Sequence, residues 1–203
     1  MIEGYIKKSE RKKILLLSDD LRMHSGIATM SRELVVGSAH KYNWFQVGAA
    51  LKHPDKGKVI DISDDVNKNS GLEDSQVHIM PFEGYGNSTL IRSLLEKEKP
   101  DAIFIFTDPR YWIWLFEIER EIRNRIPIVW LNIWDDYPAP IYNRDYYNSV
   151  DCLMGISKQT VNINKLVLGD YAKDKVINYV PHGINNKHFF PIVEDNPLYP
   201  ELI

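Results

Sequence analysis

The chain has a single cysteine, Cys152, so an internal disulfide is impossible, and nothing points to an oxidising compartment. Cys152 lies in an apolar run, Cys152-Leu153-Met154, which suits a small core residue better than a reactive thiol. No apolar run approaches the ~20 residues needed to cross a bilayer. The first dozen residues are polar and lack the hydrophobic stretch of a signal peptide. The expectation is therefore a cytoplasmic protein, with a peripheral place at a membrane left open. The net charge of −3 is too small for a dominant nucleic-acid footprint. The six histidines show no H-x-x-x-H or His/Cys spacing, so no metal site is expected. Neither G-x-G-x-x-G nor G-x-S-x-G occurs, which leaves out the usual dinucleotide loop and the hydrolase elbow.

What is present is an ordinary globular composition: 203 residues, 44% hydrophobic and 26% charged, enough for one large domain or two small ones. Eleven tyrosines and five tryptophans are many for this size, and several fall between Tyr111 and Tyr147. Lys13 to Ser18 is a continuous apolar run, the mark of a strand buried on both faces. Further strands are predicted over 44–51, 58–63, 76–82, 102–106, 127–133, 152–156 and 176–180. Helices are predicted over 27–39, 88–97, 108–125, up to Asn148, and 157–168. Residues 64–75 read as a loop and residues 1–11 as a frayed polar lead-in. Strands alternating with helices specify an α/β fold: a mostly parallel sheet with helices on both faces. Residues 193–203, with Pro197 and Pro200, read as the start of a linker.

Ligands of such sheets bind beyond the carboxyl ends of the strands. The residues just after each strand are Asp19, Asp20 and the His24-Ser25-Gly26 turn; Thr107, Asp108 and Arg110; Trp134, Asp135 and Asp136; Ser157-Lys158; and His182-Gly183. Gly84-Tyr85-Gly86-Asn87 forms a second glycine-containing turn. Taken singly, each of these fits a loop or a helix cap as well as a site. The turn Ser25-Gly26-Ile27 feeds a helix N-terminus and suits an anion such as a phosphate. Asp19-Asp20 after a strand also occurs in phospho-receiver domains, but those are shorter and lack a Ser-Gly turn before the first helix.

Four segments, taken together, resemble the N-terminal domain of GT-B glycosyltransferases of the retaining family 4 type (glycosyl transferases group 1). They are the strand–Ser25-Gly26-Ile27-Ala28–helix opening; Lys99-Pro100-Asp101-Ala102-Ile103-Phe104-Ile105-Phe106-Thr107-Asp108-Pro109; Ser149-Val150-Asp151-Cys152-Leu153-Met154-Gly155-Ile156-Ser157-Lys158; and Val180-Pro181-His182-Gly183-Ile184-Asn185-Asn186-Lys187-His188-Phe189-Phe190-Pro191. The last is the most specific. The resemblance runs from about residue 12 to 192 and implies a Rossmann-like first half of a two-domain enzyme.

It further implies transfer of a sugar, hexosyl-like, from a nucleotide-sugar to a hydroxyl acceptor on a glycan, lipid or protein. Anomeric configuration would be retained, with no bound metal and no cofactor beyond the nucleotide-sugar co-substrate. Ser25, Gly26 and Ile27 would face the donor phosphates. Tyr85, Asp108, Arg110, Tyr111 and Trp134 would wall the acceptor, and His182 and Gly183 would lie at the interdomain cleft. Relatives often carry a histidine where this chain reads Asn132-Ile133-Trp134-Asp135-Asp136; that polar role would pass to Asp135 or Asp136, or loop capping would explain both. The family's second, donor-holding domain is not in these 203 residues, so the chain alone is expected to be inactive. A nucleotide-sugar epimerase of the same fold and a non-enzymatic glycan- or partner-binding module are the alternatives.

Overall fold

The computed structural model describes residues 2–49, 52–186 and 189–192. The expected linker over 193–203 lies outside them. The chain runs β1 (Lys12–Asp19), α1 (Gly26–Ser38), β2 (Tyr42–Ala49), β3 (Ile60–Asp61), α2 (Ser63–Ser70), β4 (Val77–Pro81) and α3 (Ser88–Glu98). It continues through β5 (Ala102–Phe106), α4 (Ile113–Phe116), α5 (Glu119–Arg123), β6 (Ile128–Asn132), α6 (Arg144–Asn148), β7 (Cys152–Gly155), α7 (Lys158–Leu168) and β8 (Val176–Tyr179). The strands form one sheet in the order β3-β4-β2-β1-β5-β6-β7-β8. Every pairing is parallel except β3 with β4.

The apolar run of β1 is explained by its central place in the sheet. Leu15 and Leu17 point to one face, where they pack with Phe45, Ile103, Ile128, Trp130 and Leu153. Leu16 points to the other and packs with Trp44, Val77 and Ile79. Side chains alternate across a strand, so a strand covered on both sides needs apolar residues at every position. Helices α1 and α2 cover the second face through Val35 and Val66. Helices α3 and α7 cover the first through Ile91, Leu94, Ile163 and Val167. The chain leaves β1 in one direction through β2 and β4, then returns to β5 and builds outward the other way. Right-handed crossovers in opposite directions put their helices on opposite faces. The crevice between the carboxyl ends of β1 and β5 is therefore the topological switch point, the usual ligand position in an open α/β sheet.

Three local expectations are corrected. Residues 63–70 form a helix rather than a loop. Only Val66 of that helix is buried, so no apolar stripe marks it; its stop is the left-handed Gly71 (φ 76°). The predicted helix 108–125 is broken into a 3-10 turn, Pro109–Trp112, and the short α4 and α5, with Trp112, Leu115, Phe116 and Ile122 all buried in the core. Residues 2–11 are tied down rather than frayed. Arg11, whose side chain is fully buried, pairs with Asp74 at 2.7 Å, donates to the Ile6 carbonyl and lies over the Tyr5 ring. Trp130 is core as expected, fully buried with its Nε1 donating to the Thr107 carbonyl. Cys152 is half-buried, and burial pushes its thiol pKa up, the opposite of what an activated thiolate needs.

Candidate functional site

The carboxyl end of β1 is held by a network that starts one strand away. Gln46 on β2 accepts from the Leu21 N–H and donates to Ser18 Oγ and the Asp19 carbonyl. Asp20, fully buried, occupies the space left by Gly48, where any Cβ would collide with its carboxylate. Arg22 neutralises Asp20, donating from Nε at 2.9 Å and from Nη2 at 2.7 Å, while its backbone N–H caps the same carboxylate. With those ties in place the chain turns into α1 at a fixed position.

Ser25 caps α1, accepting from the Ala28 N–H at 3.0 Å and donating its hydroxyl to Asp19 Oδ2 at 2.8 Å. The first N–H groups of a helix have no intrahelical partner, and here those belong to Gly26 and Ile27. Gly26 is exposed, and a Cβ built on it meets nothing within 4 Å. The helix N-terminus thus opens onto free space, with a partial positive potential of about half an elementary charge.

Opposite Ser25, Asp19 also accepts from the Tyr85 hydroxyl at 3.3 Å. Tyr85 sits between Gly84 (φ 78°) and Gly86 (φ 95°), a backbone that non-glycine residues rarely adopt; a Cβ at Gly86 would also press on Trp114 at 3.1 Å. The Tyr85 ring stacks on Tyr111 with centroids 4.0 Å apart and an interplanar angle of 13°, and its edge meets the buried Trp112. Burial first, then the Asp19 charge, push the Tyr85 pKa far up, so its hydroxyl remains a donor throughout the physiological range. The loops after β1 and β4 therefore meet at Asp19, and the loop after β5 joins them through Tyr111 on Tyr85, at the switch-point crevice.

Asp108 repeats the arrangement of Asp20. It accepts from the Arg110 N–H at 2.9 Å and from Arg110 Nε and Nη2 at 2.9 and 2.8 Å. Desolvation raises the Asp108 pKa, but the Arg110 hydrogen bonds outweigh it and hold the carboxyl below its usual range. Trp134 stands edge-on to Tyr142 at 6.1 Å and donates to the Asp136 carbonyl. Asp135 and Asp136 are exposed at the rim. The Asp136 carboxylate accepts from the Tyr137 N–H, and the Asp135 carbonyl accepts from Gln159. Among the described residues no hydrogen bond or ion pair joins either one to the Asp19 cluster. His182 packs edge-on against Phe106 at 5.7 Å and borders a cleft of about 250 Å³ that also touches Met30 and Ile184. Burial lowers the His182 pKa, favouring the neutral ring. Gly183 is exposed beside it. Ser157 caps α7 through the Thr160 N–H.

Of the residues singled out by sequence, Ser25, Gly26, Tyr85 and Tyr111 gather at the crevice, with Asp108 and Arg110 on the adjoining turn. Asp135, Asp136 and Trp134 lie on the β6 loop, and His182 and Gly183 on the segment after β8. Two residues gain importance from the structure. Asp19 links the β1 and β4 loops through Ser25 and Tyr85, and Tyr142, 73% exposed, extends the aromatic edge beside Trp134. Among the described residues no group of three His, Cys, Asp or Glu side chains could hold a metal ion. No protein-family model matches the chain, and no curated protein matches it.

Proposed function

We propose that the chain is the acceptor-side domain of a glycosyltransferase that moves a sugar from a nucleotide-sugar to a hydroxyl group with retention of configuration. The observation that carries this reading is the make-up of the β1/β5 crevice. One wall is a capped helix N-terminus with open N–H groups at Gly26 and Ile27; the other is the Asp19–Tyr85–Tyr111 cluster. Leaving diphosphate builds negative charge. Fixed N–H donors and a helix dipole stabilise that charge without reorganising at the moment of reaction. Carboxylates and tyrosine faces are groups that receive sugar hydroxyls and sugar rings. The four segments that resemble family 4 glycosyltransferases all end on this carboxyl edge or on the segment leaving β8, which supports the same reading.

In this reading Ser25, Gly26 and Ile27 meet the donor phosphates. Tyr85, Tyr111, Asp108, Arg110 and Trp134 wall the acceptor. Asp135 or Asp136 supplies a polar contact to the reacting sugar, and His182 and Gly183 border the cleft toward a second, donor-holding domain. Protein made from the longest form of its reading frame, incubated with UDP-, GDP- and ADP-sugars and simple glycosides, should yield a glycoside of retained anomeric configuration. An epimerised nucleotide-sugar with no transfer would assign the chain to the epimerase alternative. Glycan binding with no nucleotide affinity would assign it to the binding-module alternative.

A further inference from the structure

Two carboxylates follow one another at the end of β1, and they are treated differently. Asp20 is paired with Arg22. Asp19 is only 8% exposed, yet among the described residues no lysine, arginine or histidine nitrogen lies within 4 Å of it. Buried charges are ordinarily paired. Among the described residues the side-chain donors to Asp19 are the Ser25 and Tyr85 hydroxyls, at 2.8 and 3.3 Å. An ionised carboxylate offers about four lone-pair sites, so Asp19 keeps unused acceptor capacity. The Tyr85 contact is also long for an O–H···O bond, which usually falls at about 2.5–3.0 Å, and a better-placed hydroxyl can displace it.

The surroundings narrow what that hydroxyl belongs to. Tyr111, stacked on Tyr85, is 45% exposed and extends the aromatic surface of the tyrosine that reaches Asp19. The two arginines of the flanking turns, Arg22 and Arg110, are each engaged by a carboxylate of their own turn through Nε and Nη2. On the Tyr85–Tyr111 side of Asp19 an anionic ligand would therefore meet the carboxylate with no unpaired guanidinium to offset it, whereas an anion over Gly26 and Ile27 meets open helix N–H groups. We propose that the Asp19–Tyr85–Tyr111 corner is a subsite for an uncharged, polyhydroxylated ring, with a ring hydroxyl donating to Asp19 and the C–H face of the ring on Tyr111. The acceptor is then a neutral sugar rather than a phosphorylated one. Asp19 is its positioning carboxylate. The acceptor role rests on the transferase reading, but the binding can be measured without it.

The test is saturation-transfer NMR on the 203-residue chain with methyl glucoside, methyl mannoside and methyl galactoside, each against its 6-phosphate. At least one methyl glycoside should bind saturably, and its 6-phosphate should bind at least about tenfold more weakly. Asp19→Asn should weaken binding by about tenfold or more, the worth of one hydrogen bond to a charged group. Tyr111→Ala, at an exposed position, should weaken it by about fivefold, the worth of one ring contact. Equal or tighter binding of the 6-phosphate overturns the proposal. So does the absence of glycoside binding, or variants that bind like the original chain. The transferase reading fails separately: glycoside binding that persists in a protein unable to consume any nucleotide-sugar keeps the subsite and removes the reaction. Transfer to a phosphorylated acceptor keeps the reaction and removes the subsite.

Discussion

Gly26→Ala separates folding from function at the head of α1, because its two effects run in opposite directions. Gly26 is the first helical residue, following Ser25 in extended conformation (φ −137°, ψ 159°). It is not among the glycines with positive φ, and its built Cβ meets nothing within 4 Å. Alanine therefore fits the native backbone without strain and reduces only the freedom of the unfolded chain, which stabilises by about 0.4–1 kcal/mol. For a chain of this size each kcal/mol is worth about 2–4 °C, so the melting temperature should rise by roughly 1–4 °C. The added methyl group occupies open space at the head of the helix, beside its first N–H groups. A diphosphate displaced from them loses at least one charge-assisted hydrogen bond, about 1.5–3 kcal/mol or roughly tenfold to a hundredfold in nucleotide-sugar affinity. Gly26→Val, larger in the same space, should abolish transfer while the domain stays folded. Calorimetric melting of the 203-residue chain, and nucleotide-sugar affinity and turnover of the same variants in protein made from the longest form of its reading frame, give the two readouts. A more stable Gly26→Ala protein with unchanged affinity and turnover would refute the assignment of this turn to the donor phosphates.

Gly48→Ala should destabilise the chain by about 1–3 kcal/mol, the usual cost of overpacking, since its Cβ runs into the Asp20 carboxylate; chemical denaturation measures it. Arg22→Ala should cost about 2–3 kcal/mol by the same measurement, because Asp20 is fully buried while Arg22 is partly open to water. Asp74→Asn strips the buried Arg11 guanidinium of its charge partner and should cost about 2–3 kcal/mol, below the range for a fully buried pair because Asp74 is partly exposed. Desolvation raises the Asp74 pKa, but hydrogen bonds from Arg11 and Tyr5 outweigh it and hold the carboxyl low. A depressed carboxyl contributes stability above its unfolded pKa of about 3.9 and loses it as pH falls through the folded value. The original chain should therefore weaken below about pH 4, and the Asp74→Asn protein should show a shallower acid loss in melts run from pH 7 to 3. Asp135→Asn and Asp136→Asn should differ in turnover, with Asp135 the more sensitive, because the Asp136 carboxylate already caps the Tyr137 N–H. Equal and unaltered turnover in both would remove the β6 loop from the chemistry.

The α/β class was readable in the chain because burial on both faces writes itself locally: Ile14 to Leu17 has no polar position, and a buried central strand has no use for one. Helix α2 was not readable, since Val66 alone carries its burial. The anchoring of residues 2–11 was hidden for a different reason: it depends on Arg11 meeting Asp74, two residues far apart in sequence with no local pattern linking them. The candidate site divides in the same way. The cap at Ser25 and the turn at Gly84-Tyr85-Gly86 are local signals, and both were visible. That Asp19 joins them depends on strand order, which places the loops after β4 and β5 on either side of β1, and on the positive φ of Gly84 and Gly86 that flank Tyr85. Asp19 and Asp20 look alike in sequence and differ only in what reaches them: Arg22, two residues on from Asp20, folds back onto it, and a tyrosine from a distant turn reaches Asp19. A carboxylate that the fold buries without giving it a cation keeps its acceptor capacity for something that comes from outside the chain.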